Sequence, residues 1–242
     1  MKNKVLLIPA AGKGSRSNLD YPKSLFKIKN TPIIIRILNK FKNIKKINKC
    51  LIINKNYKKL FKYELSKYKF NTDFVFQNKP SGMGNAILSF EKSKYYKKAD
   101  QVIVIWGDMP FIKLRSIKEL IRIHELNNND FTLITTKNRN PYTIVRRNKK
   151  KQVTEIIETK DTNKKIKFGE KDIGLFIFNK IKIFKLLKKK LPNMYSKRTK
   201  EHGFLYLIKH LYNLNFKVEA ICIGDNKEGI SFNQIIDIEK YL

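Results

Sequence analysis

Short apolar runs alternate with helical patterns through the first 137 residues, and this alternation constrains the fold more than any other feature. Five runs rich in Val, Ile and Phe are predicted to be buried strands: "VLLIPA" (5–10), "CLIIN" (50–54), "DFVFQ" (73–77), "QVIVIWG" (101–107) and "FTLITT" (131–136). The stretches between them include "TPIIIRILNKFKNI", with Thr31 as the predicted N-cap and Pro32 at the first helical position. Such alternation predicts an α/β fold: a Rossmann-like mixed, mostly parallel sheet with helices on both faces. Ligands of such sheets bind at the carboxyl ends of the strands.

The pattern changes after about residue 138. Three strand-like runs, "YTIVRR", "VTEIIE" and "DIGLFIFN", follow one another with little helix between them, and they predict a small β meander beside the main sheet. Helices near 181–190 and 202–214, a strand at 217–223 and a short C-terminal helix complete the prediction. We expect a single domain, 1–242, with a nucleotide-binding half (about 1–137) and an acceptor-binding half (about 138–242).

The formal net charge of +33, from 53 basic and 20 acidic residues, raises the question of nucleic-acid binding. However, 45 of the basic residues are Lys and only 8 are Arg, the residue best suited to planar recognition of phosphates and bases. We therefore attribute the charge to the composition of an AT-rich genome and expect no nucleic-acid partner. No run approaches the ~20 apolar residues of a membrane helix. We expect no membrane association and a cytoplasmic protein, and we expect no chemical role for Cys50 and Cys222.

The segment "IPAAGKGSRSNLDYPKSLFKI", residues 8–28, follows the first predicted strand and so lies at the ligand-binding edge. Glycine at 12 and 14 lets backbone N–H groups turn toward an anion, and Arg16 and Lys23 add positive charge. The spacing excludes the Walker loop, which needs Lys directly after its last glycine, and the dinucleotide fingerprint, which needs a third glycine. A phosphate site is predicted; a strand-to-helix turn without a ligand is the alternative.

The longer segment "PAAGKGSRSNLDYPKSLFKIKNTPII" resembles the signature of the sugar-phosphate nucleotidyltransferases, a family with a MobA-like NTP transferase fold. Further similar segments follow in the family's order: "FQNKPSGMGNAI", "IWGDMPFI", "VTEIIETKD" and "FNQIIDIEKYL". The resemblance is nearest to the uridylyltransferase branch that makes UDP-N-acetylglucosamine. It implies Mg²⁺ as cofactor, and a nucleoside triphosphate and a sugar phosphate, or another phosphate monoester, as partners.

The implied reaction is attack by a sugar 1-phosphate on the α-phosphorus of an NTP, UTP being favoured, with release of pyrophosphate. A phosphate monoester loses its second proton near pH ~6, so the attacking oxygen is already anionic and no general base is needed. The alternatives are a cytidylyltransferase acting on phosphocholine or another surface-polymer precursor, a non-catalytic nucleotide sensor and a nucleic-acid-binding module. The oligomeric state is left open.

The resemblance assigns phosphate-handling roles to the glycine-containing loop and to the lysine that follows it. Arg16 would hold the departing pyrophosphate, and Lys23, after Pro22, would reach the α-phosphate and the incoming phosphate. The backbone that would hold the triphosphate belongs to Ala10, Ala11, Gly12 and Gly14.

A metal site is predicted from Asp108, which follows a strand and a glycine at the sheet edge. A carboxylate that merely caps a turn is the alternative. The resemblance puts Asn233 in the second ligand position, but a different alignment of the closing segment puts Ser231 there. Asp225 is a further candidate.

Base and acceptor contacts are implied in three other segments. Gln77 offers a donor and an acceptor to the edge of a base, and the backbone at Gly82 would complete this contact. Met83 and Asn85 replace the Thr and His of the uridylyltransferase pattern, which leaves the base open. The implied acceptor-binding residues are Thr143, Glu158, Lys160 and Asp172. Thr143 and Asp172 replace a Gly and an Asn of the relatives, so the acceptor is open as well.

Overall fold

The computed structural model describes residues 2–12, 14, 17–44, 47–77, 81–162, 166–196 and 198–242. The strands are β1 (Lys4–Pro9), β2 (Lys27–Ile28), β3 (Thr31–Pro32), β4 (Ile47–Ile53), β5 (Asp73–Phe76), β6 (Gln101–Ile105), β7 (Phe131–Arg139), β8 (Thr143–Arg147), β9 (Val153–Glu158), β10 (Phe168–Asn179) and β11 (Val218–Cys222). The α-helices are α1 (Ile33–Lys40), α2 (Lys58–Lys67), α3 (Met83–Leu88), α4 (Leu114–Leu126), α5 (Lys180–Leu187) and α6 (Leu207–Asn213). No helix in these ranges is long and apolar enough to cross a bilayer.

Seven of the described strands form one sheet in the order β11-β7-β10-β6-β1-β4-β5. β10 runs antiparallel to both of its neighbours, whereas the pairs on either side of it, from β11–β7 to β4–β5, are parallel. The chain leaves β1 to build β4 and β5 on one side and then returns to place β6 on the other. This reversal of direction opens a crevice at the carboxyl end of β1, where ligands of such sheets bind.

Alternating side chains of the buried strands enter two separate hydrophobic cores, one on each face of the sheet. In β1, Val5 and Leu7 join the core that α3, α5 and α6 cover, while Leu6 and Ile8 join the core that α1, α2 and α4 cover. The mostly parallel sheet with helices on both faces is thus confirmed.

Several local predictions were wrong. Thr31 is not an N-cap, because Thr31 and Pro32 pair with Lys27 and Ile28 as a short hairpin, and α1 begins at Ile33 with Pro32 as its N-cap. The predicted C-terminal helix consists of two 3-10 turns, Ile235–Asp237 and Glu239–Tyr241.

The meander prediction holds only for β8 and β9, which form a separate antiparallel hairpin. β10 instead enters the main sheet between β6 and β7. Its apolar half, Leu175–Phe178, is buried on both faces, as expected of a central strand and not of a meander beside the sheet.

The carboxyl ends of β1 and β6 approach each other closely. Gly107 N–H donates to Pro9 O at 3.0 Å, and a Cβ at residue 107 would lie 2.7 Å from that oxygen. Glycine at 107 therefore brings Asp108 next to the loop that follows β1.

Candidate active site

A cleft of about 490 Å³ opens at the carboxyl edge of the sheet, above β1 and β6. Its walls come from both predicted halves of the chain. Of the residues proposed from the sequence, the cleft is lined by Ala10, Ala11, Gly12, Lys23, Gln77, Gly82, Asp108, Thr143, Glu158, Asp172, Ser231 and Asn233. Arg16 lies outside the described residues, and the side chain of Lys160 is likewise not described.

The loop after β1 turns back at Gly14 and closes on Ser17. Ser17 N–H and Oγ–H both donate to Gly14 O, at 2.8 and 2.6 Å. Gly14 has φ +67°, and a Cβ there would lie 2.8 Å from Lys23 Cγ, so glycine is needed for both the turn and the close approach of Lys23. Gly14 does not itself line the cleft. Among the described residues, none lies within 4 Å of the place that a Cβ on Gly12 would take, which leaves this side of its backbone open to a ligand.

Lys23 lies at the centre of the proposed reaction site. It begins a single 3-10 turn, Lys23–Leu25, directly after the extended residue Pro22. Its Nζ donates to Asp108 Oδ2 at 3.0 Å and to Asn233 Oδ1 at 3.4 Å. Asp108 follows Lys23 by 85 positions and Asn233 follows it by 210, and both side chains contact the same ammonium group.

The closing segment holds Asn233 in this position through contacts on both sides. Phe232 N–H donates to Asp108 O at 2.8 Å, and the Phe232 ring packs against Phe26 with ring centroids 4.6 Å apart. Asp237 Oδ2 accepts from Asn233 N–H at 2.8 Å, which fixes the start of the following turn. These contacts tie Asn233 to the strand end that carries Asp108.

The alternative metal-ligand candidates have other partners. Ser231 lines the cleft, but its Oγ accepts a hydrogen bond from Asn233 Nδ2 at 2.8 Å. Asp225 pairs with the exposed Lys113 and does not line the cleft. The Lys113 ammonium holds the pKa of the Asp225 carboxyl below its usual value.

The donor set of Asp108 and Asn233 fits Mg²⁺, which prefers oxygen ligands and keeps waters and substrate phosphates in its remaining positions. The two side-chain oxygens already converge on one cation, Lys23 Nζ. The described residues contain no group of three or more His, Cys, Asp or Glu that could hold a metal by themselves. A metal at this edge would therefore depend on substrate phosphates for part of its coordination.

Gln77 and the loop at Gly82, which the sequence predicts to contact the base, form one side of the cleft. Gln77 follows β5, and its N–H donates to Ile53 O at 2.9 Å, which continues the parallel pairing of β5 and β4. Gly82, the N-cap of α3, has φ +94° and ψ 166°, a conformation that is essentially restricted to glycine.

Thr143 and Asp172, two of the residues predicted to bind the acceptor, form one hydrogen-bonded pair in the wall of the cleft. Thr143 Oγ1 donates to Asp172 Oδ2 at 2.6 Å, and Gly174 N–H donates to Asp172 Oδ1 at 2.9 Å. A break in the pairing of β10 with β7 between Asp172 and Phe176 accompanies the positive φ of Gly174. Burial raises the pKa of the Asp172 carboxyl. Glu158, paired in register with Thr143, lines the same wall.

Sequence reasoning missed several cleft residues. Lys171 Nζ donates to Gly229 O at 2.7 Å and reaches the cleft from β10, and burial lowers the pKa of its ammonium. The others have aromatic or polar side chains: Trp106, Tyr142, Ser196, Glu201, His202 and Tyr206. Trp106 and Tyr142 lie in runs predicted as strands, and the residue types there gave no sign of a role in the cleft. His202 and Tyr206 lie in the helix predicted at 202–214, but α6 begins only at Leu207. Lys171 was missed because β10 was expected to lie outside the main sheet.

The fold and the site define a class, an α/β domain with a glycine-containing loop and a cluster of Lys23, Asp108 and Asn233 at the sheet edge. The model of the MobA-like NTP transferase domain matches residues 6–170. The chain belongs to this family, and so to the nucleotidyltransferases.

Curated relatives support this assignment. The bifunctional protein GlmU of Buchnera aphidicola subsp. Schizaphis graminum is 33% identical over 240 residues, which is 96% of this chain and 49% of that protein. The bifunctional protein GlmU of Acholeplasma laidlawii is 32% identical over 253 residues, which is 100% of this chain and 52% of that protein. The chain thus spans about half the length of these relatives.

Solved structures show the same fold at low sequence identity. UDP-glucose pyrophosphorylase complexed with UDP-glucose superposes with a TM-score of 0.75 at 16% identity, over 98% of this chain and 96% of that one. 4-Diphosphocytidyl-2C-methyl-D-erythritol synthase from Anaerococcus prevotii superposes with a TM-score of 0.67 at 17% identity, over 99% and 94%.

Proposed function

We propose that this chain transfers the nucleotidyl group of an NTP, UTP in the first place, to a sugar 1-phosphate and releases pyrophosphate. The observation that carries the proposal is the position of Lys23 Nζ, between Asp108 Oδ2 and Asn233 Oδ1 at the mouth of the glycine-containing loop. The cleft is continuous from the base side to the acceptor side, so that two substrates could meet beside Lys23. We also propose that the protein works in the cytoplasm.

In this reaction an oxygen of the acceptor phosphate attacks the α-phosphorus, and the bond from that phosphorus to the pyrophosphate oxygen breaks. The attacking oxygen is anionic at neutral pH and needs no base. Lys23 would neutralise charge on the α-phosphate and on the incoming phosphate, and Arg16 would neutralise the leaving pyrophosphate. The backbone at Ala11 and Gly12 would position the triphosphate in line with the acceptor.

Asp108 and Asn233 would hold Mg²⁺, which when bound lowers the repulsion between the two phosphate groups. If Mg²⁺ occupied these two oxygens, the Lys23 ammonium would be available to the substrate phosphates. The same pair of oxygens would thus order Lys23 before the substrates bind.

On the acceptor wall, Glu158 and the Thr143–Asp172 pair offer acceptors to sugar hydroxyls. Gln77 and the backbone at Gly82 would contact the base. Lys160 follows Glu158 in the sequence and is assigned to the sugar phosphate by the family pattern.

A second candidate is a cytidylyltransferase whose acceptor is a phosphate monoester with an ammonium group, such as phosphocholine. The observation that favours it is the meeting of carboxylates and aromatic rings on the acceptor wall, where Asp172 and Glu158 line the cleft together with Tyr142 and Tyr206. Carboxylates and aromatic faces both attract quaternary ammonium groups.

The test is a pyrophosphate-release assay with the four common NTPs, each combined with a panel of sugar 1-phosphates and phosphocholine. We expect turnover with UTP and a sugar 1-phosphate, and a loss of at least about 100-fold in Lys23→Ala and Arg16→Ala, because both side chains act on charge that peaks during transfer. Lys27→Ala is the matched control, since it removes an exposed lysine four positions away. Wild-type rates in Lys23→Ala at saturating substrate would remove Lys23 from the proposed site.

A further inference from the structure

His202 lies where the chain segment 194–206 crosses the loop that precedes α3. The His202 backbone accepts from Gly84 N–H at 2.9 Å and donates to Ser81 O at 3.1 Å. A Cβ on Gly82 would lie 2.3 Å from His202 O, and a Cβ on Gly84 would lie 2.7 Å from His202 Nδ1. His202 can therefore pack against this loop only because residues 82 and 84 are glycines; the Cβ of any other residue at either position would overlap with it.

The protonation of the His202 ring follows from its neighbours. Asn85 Nδ2 donates to Ser81 O at 2.9 Å, which turns Asn85 Oδ1 toward His202 Nδ1 at 3.2 Å. An amide oxygen only accepts, so this tautomer, assigned from the hydrogen bonds, carries its proton on Nδ1. Burial lowers the pKa of the imidazole and so favours the neutral ring, whose Nε2 keeps a lone pair.

Nε2 is an acceptor that the described part of the chain does not use. The residue is only 3% exposed, it lines the cleft, and no described side chain or backbone group hydrogen-bonds to Nε2. The ring face is covered by Tyr195, with centroids 5.2 Å apart. Because a ligand that enters the cleft displaces water from this acceptor, a ligand group that donates a hydrogen bond to Nε2 would bind better here than one that cannot.

The hydrogen-bonding groups of an NTP indicate which part of it would contact His202 Nε2. The oxygens of an ionised triphosphate only accept hydrogen bonds, so they do not suit a neutral Nε2. The nucleoside carries donors, a base N–H and the ribose hydroxyls, and its predicted contact loop at Gly82 is the one that His202 touches. The acceptor-side contacts of segment 194–206 are made by other residues, since Ser196 Oγ and Tyr206 OH both donate to Asp161.

We propose that His202 is a specificity-determining residue whose Nε2 accepts a hydrogen bond from the nucleoside of the bound NTP. This inference rests on the proposed function. It assigns to His202 a contact in the same loop region where Asn85 replaces the histidine of the uridylyltransferase pattern. Asn85 then acts as the residue that orients the ring.

The test uses binding of nucleotides to the full chain in the presence of Mg²⁺ and without acceptor. Trp106, the single tryptophan, lines the same cleft and reports binding through its fluorescence. The probes are UTP, N3-methyl-UTP, 2′-deoxy-UTP and 3′-deoxy-UTP, each of the last three lacking one donor. His202→Phe keeps an aromatic ring beside Tyr195 and removes the acceptor, and Tyr195→Phe is the control that keeps the stacked ring.

We expect His202→Phe to bind UTP about 10-fold more weakly than the wild type does. One of the three analogues should lack the group that donates to Nε2, and His202→Phe should bind this analogue as well as it binds UTP. Tyr195→Phe should bind UTP with wild-type affinity. An equal loss for all four nucleotides, or no loss, would overturn the inference. Binding of none of them by the wild type would instead overturn the proposed function.

A second measurement does not depend on the variant. In ¹⁵N-labelled wild type, UTP should shift the Nε2 resonance of His202 in the direction of an acceptor that gains a hydrogen bond, with Nδ1 still protonated. An unchanged Nε2 resonance in the saturated complex would contradict the proposed contact.

Discussion

Gly82→Ala should disconnect the loop before α3 from the segment that carries His202. Alanine at 82 meets two separate penalties. The φ of +94° with ψ of 166° costs a residue with a Cβ about 1–3 kcal/mol. The new Cβ would lie 2.3 Å from His202 O and 2.6 Å from His202 N, far inside van der Waals contact, so the two segments must move apart.

The separation would break the two backbone hydrogen bonds that join these segments, Gly84 N–H to His202 O and His202 N–H to Ser81 O. Each contributes about 1 kcal/mol. Together with the backbone strain, we expect Gly82→Ala to lower the free energy of unfolding by about 3–5 kcal/mol, a large part of the ~5–15 kcal/mol typical of a domain. If the segments open locally instead, the stability loss is smaller and the affinity for UTP falls.

The assay is urea unfolding of wild type and variant, with UTP binding measured by Trp106 fluorescence on the same samples. Gly12→Ala is the control, because no atom of the described residues would lie within 4 Å of a Cβ there. It should change the free energy of unfolding by less than about 0.5 kcal/mol. The reasoning fails if Gly82→Ala is as stable as Gly12→Ala and binds UTP as the wild type does.

Three further predictions concern the metal, the base and pH. Asp108→Asn removes charge at nearly constant shape and should strongly reduce turnover at limiting Mg²⁺, while Asn233→Ala should mainly raise the Mg²⁺ concentration required for activity. If Asn233→Ala has no effect and Ser231→Ala raises the required Mg²⁺ concentration, Ser231 is the ligand. Gln77→Ala should weaken UTP binding and blur the discrimination between UTP and CTP with little change in the KM of the acceptor, whereas a uniform loss for all nucleotides would indicate a structural role. Burial lowers the pKa of His124 to about 4, so this histidine binds its proton in the unfolded chain near pH 6.5 but in the folded chain only near pH 4. Stability should therefore fall as the pH drops through that window, by about 2 kcal/mol between pH 7 and pH 5 in urea unfolding, and His124→Leu should lack this part of the pH dependence.

The sheet could be predicted because its strands are buried on both faces and so form near-continuous apolar runs between helical patterns. The same pattern of apolar runs led to a wrong prediction for β10, which was expected in a meander beside the sheet. Only its second part, Leu175–Phe178, is continuously apolar, whereas Gly169–Asp172 is mostly charged, so the sequence did not indicate that the strand enters the sheet between β6 and β7. Sheet order depends on contacts between residues far apart in the chain, and local periodicity does not report them.

The site could be proposed from the sequence where the chain supplies unusual residues at a strand end, as at Gly12, Lys23 and Asp108. The proposal of Asn233 as a site residue depended on the alignment of the closing segment with the family pattern, and its contact with Lys23 was not predicted. Nothing in the sequence around His202 indicated that this residue lines the cleft. Its position depends on the glycines at 82 and 84, which leave room for it. A short glycine-rich stretch can therefore mark a contact between two segments as well as a contact with a ligand.

The central claim, that the cleft joins a nucleotide to a phosphate monoester, is tested most directly by following the phosphorus atoms. ³¹P NMR of the protein with UTP, Mg²⁺ and the sugar 1-phosphate that the pyrophosphate assay selects should show pyrophosphate and a new diphosphate diester growing in equal amounts, while UTP and the monoester decline together. Pyrophosphate released together with UMP, with the monoester unchanged, would show hydrolysis without transfer and would contradict the account.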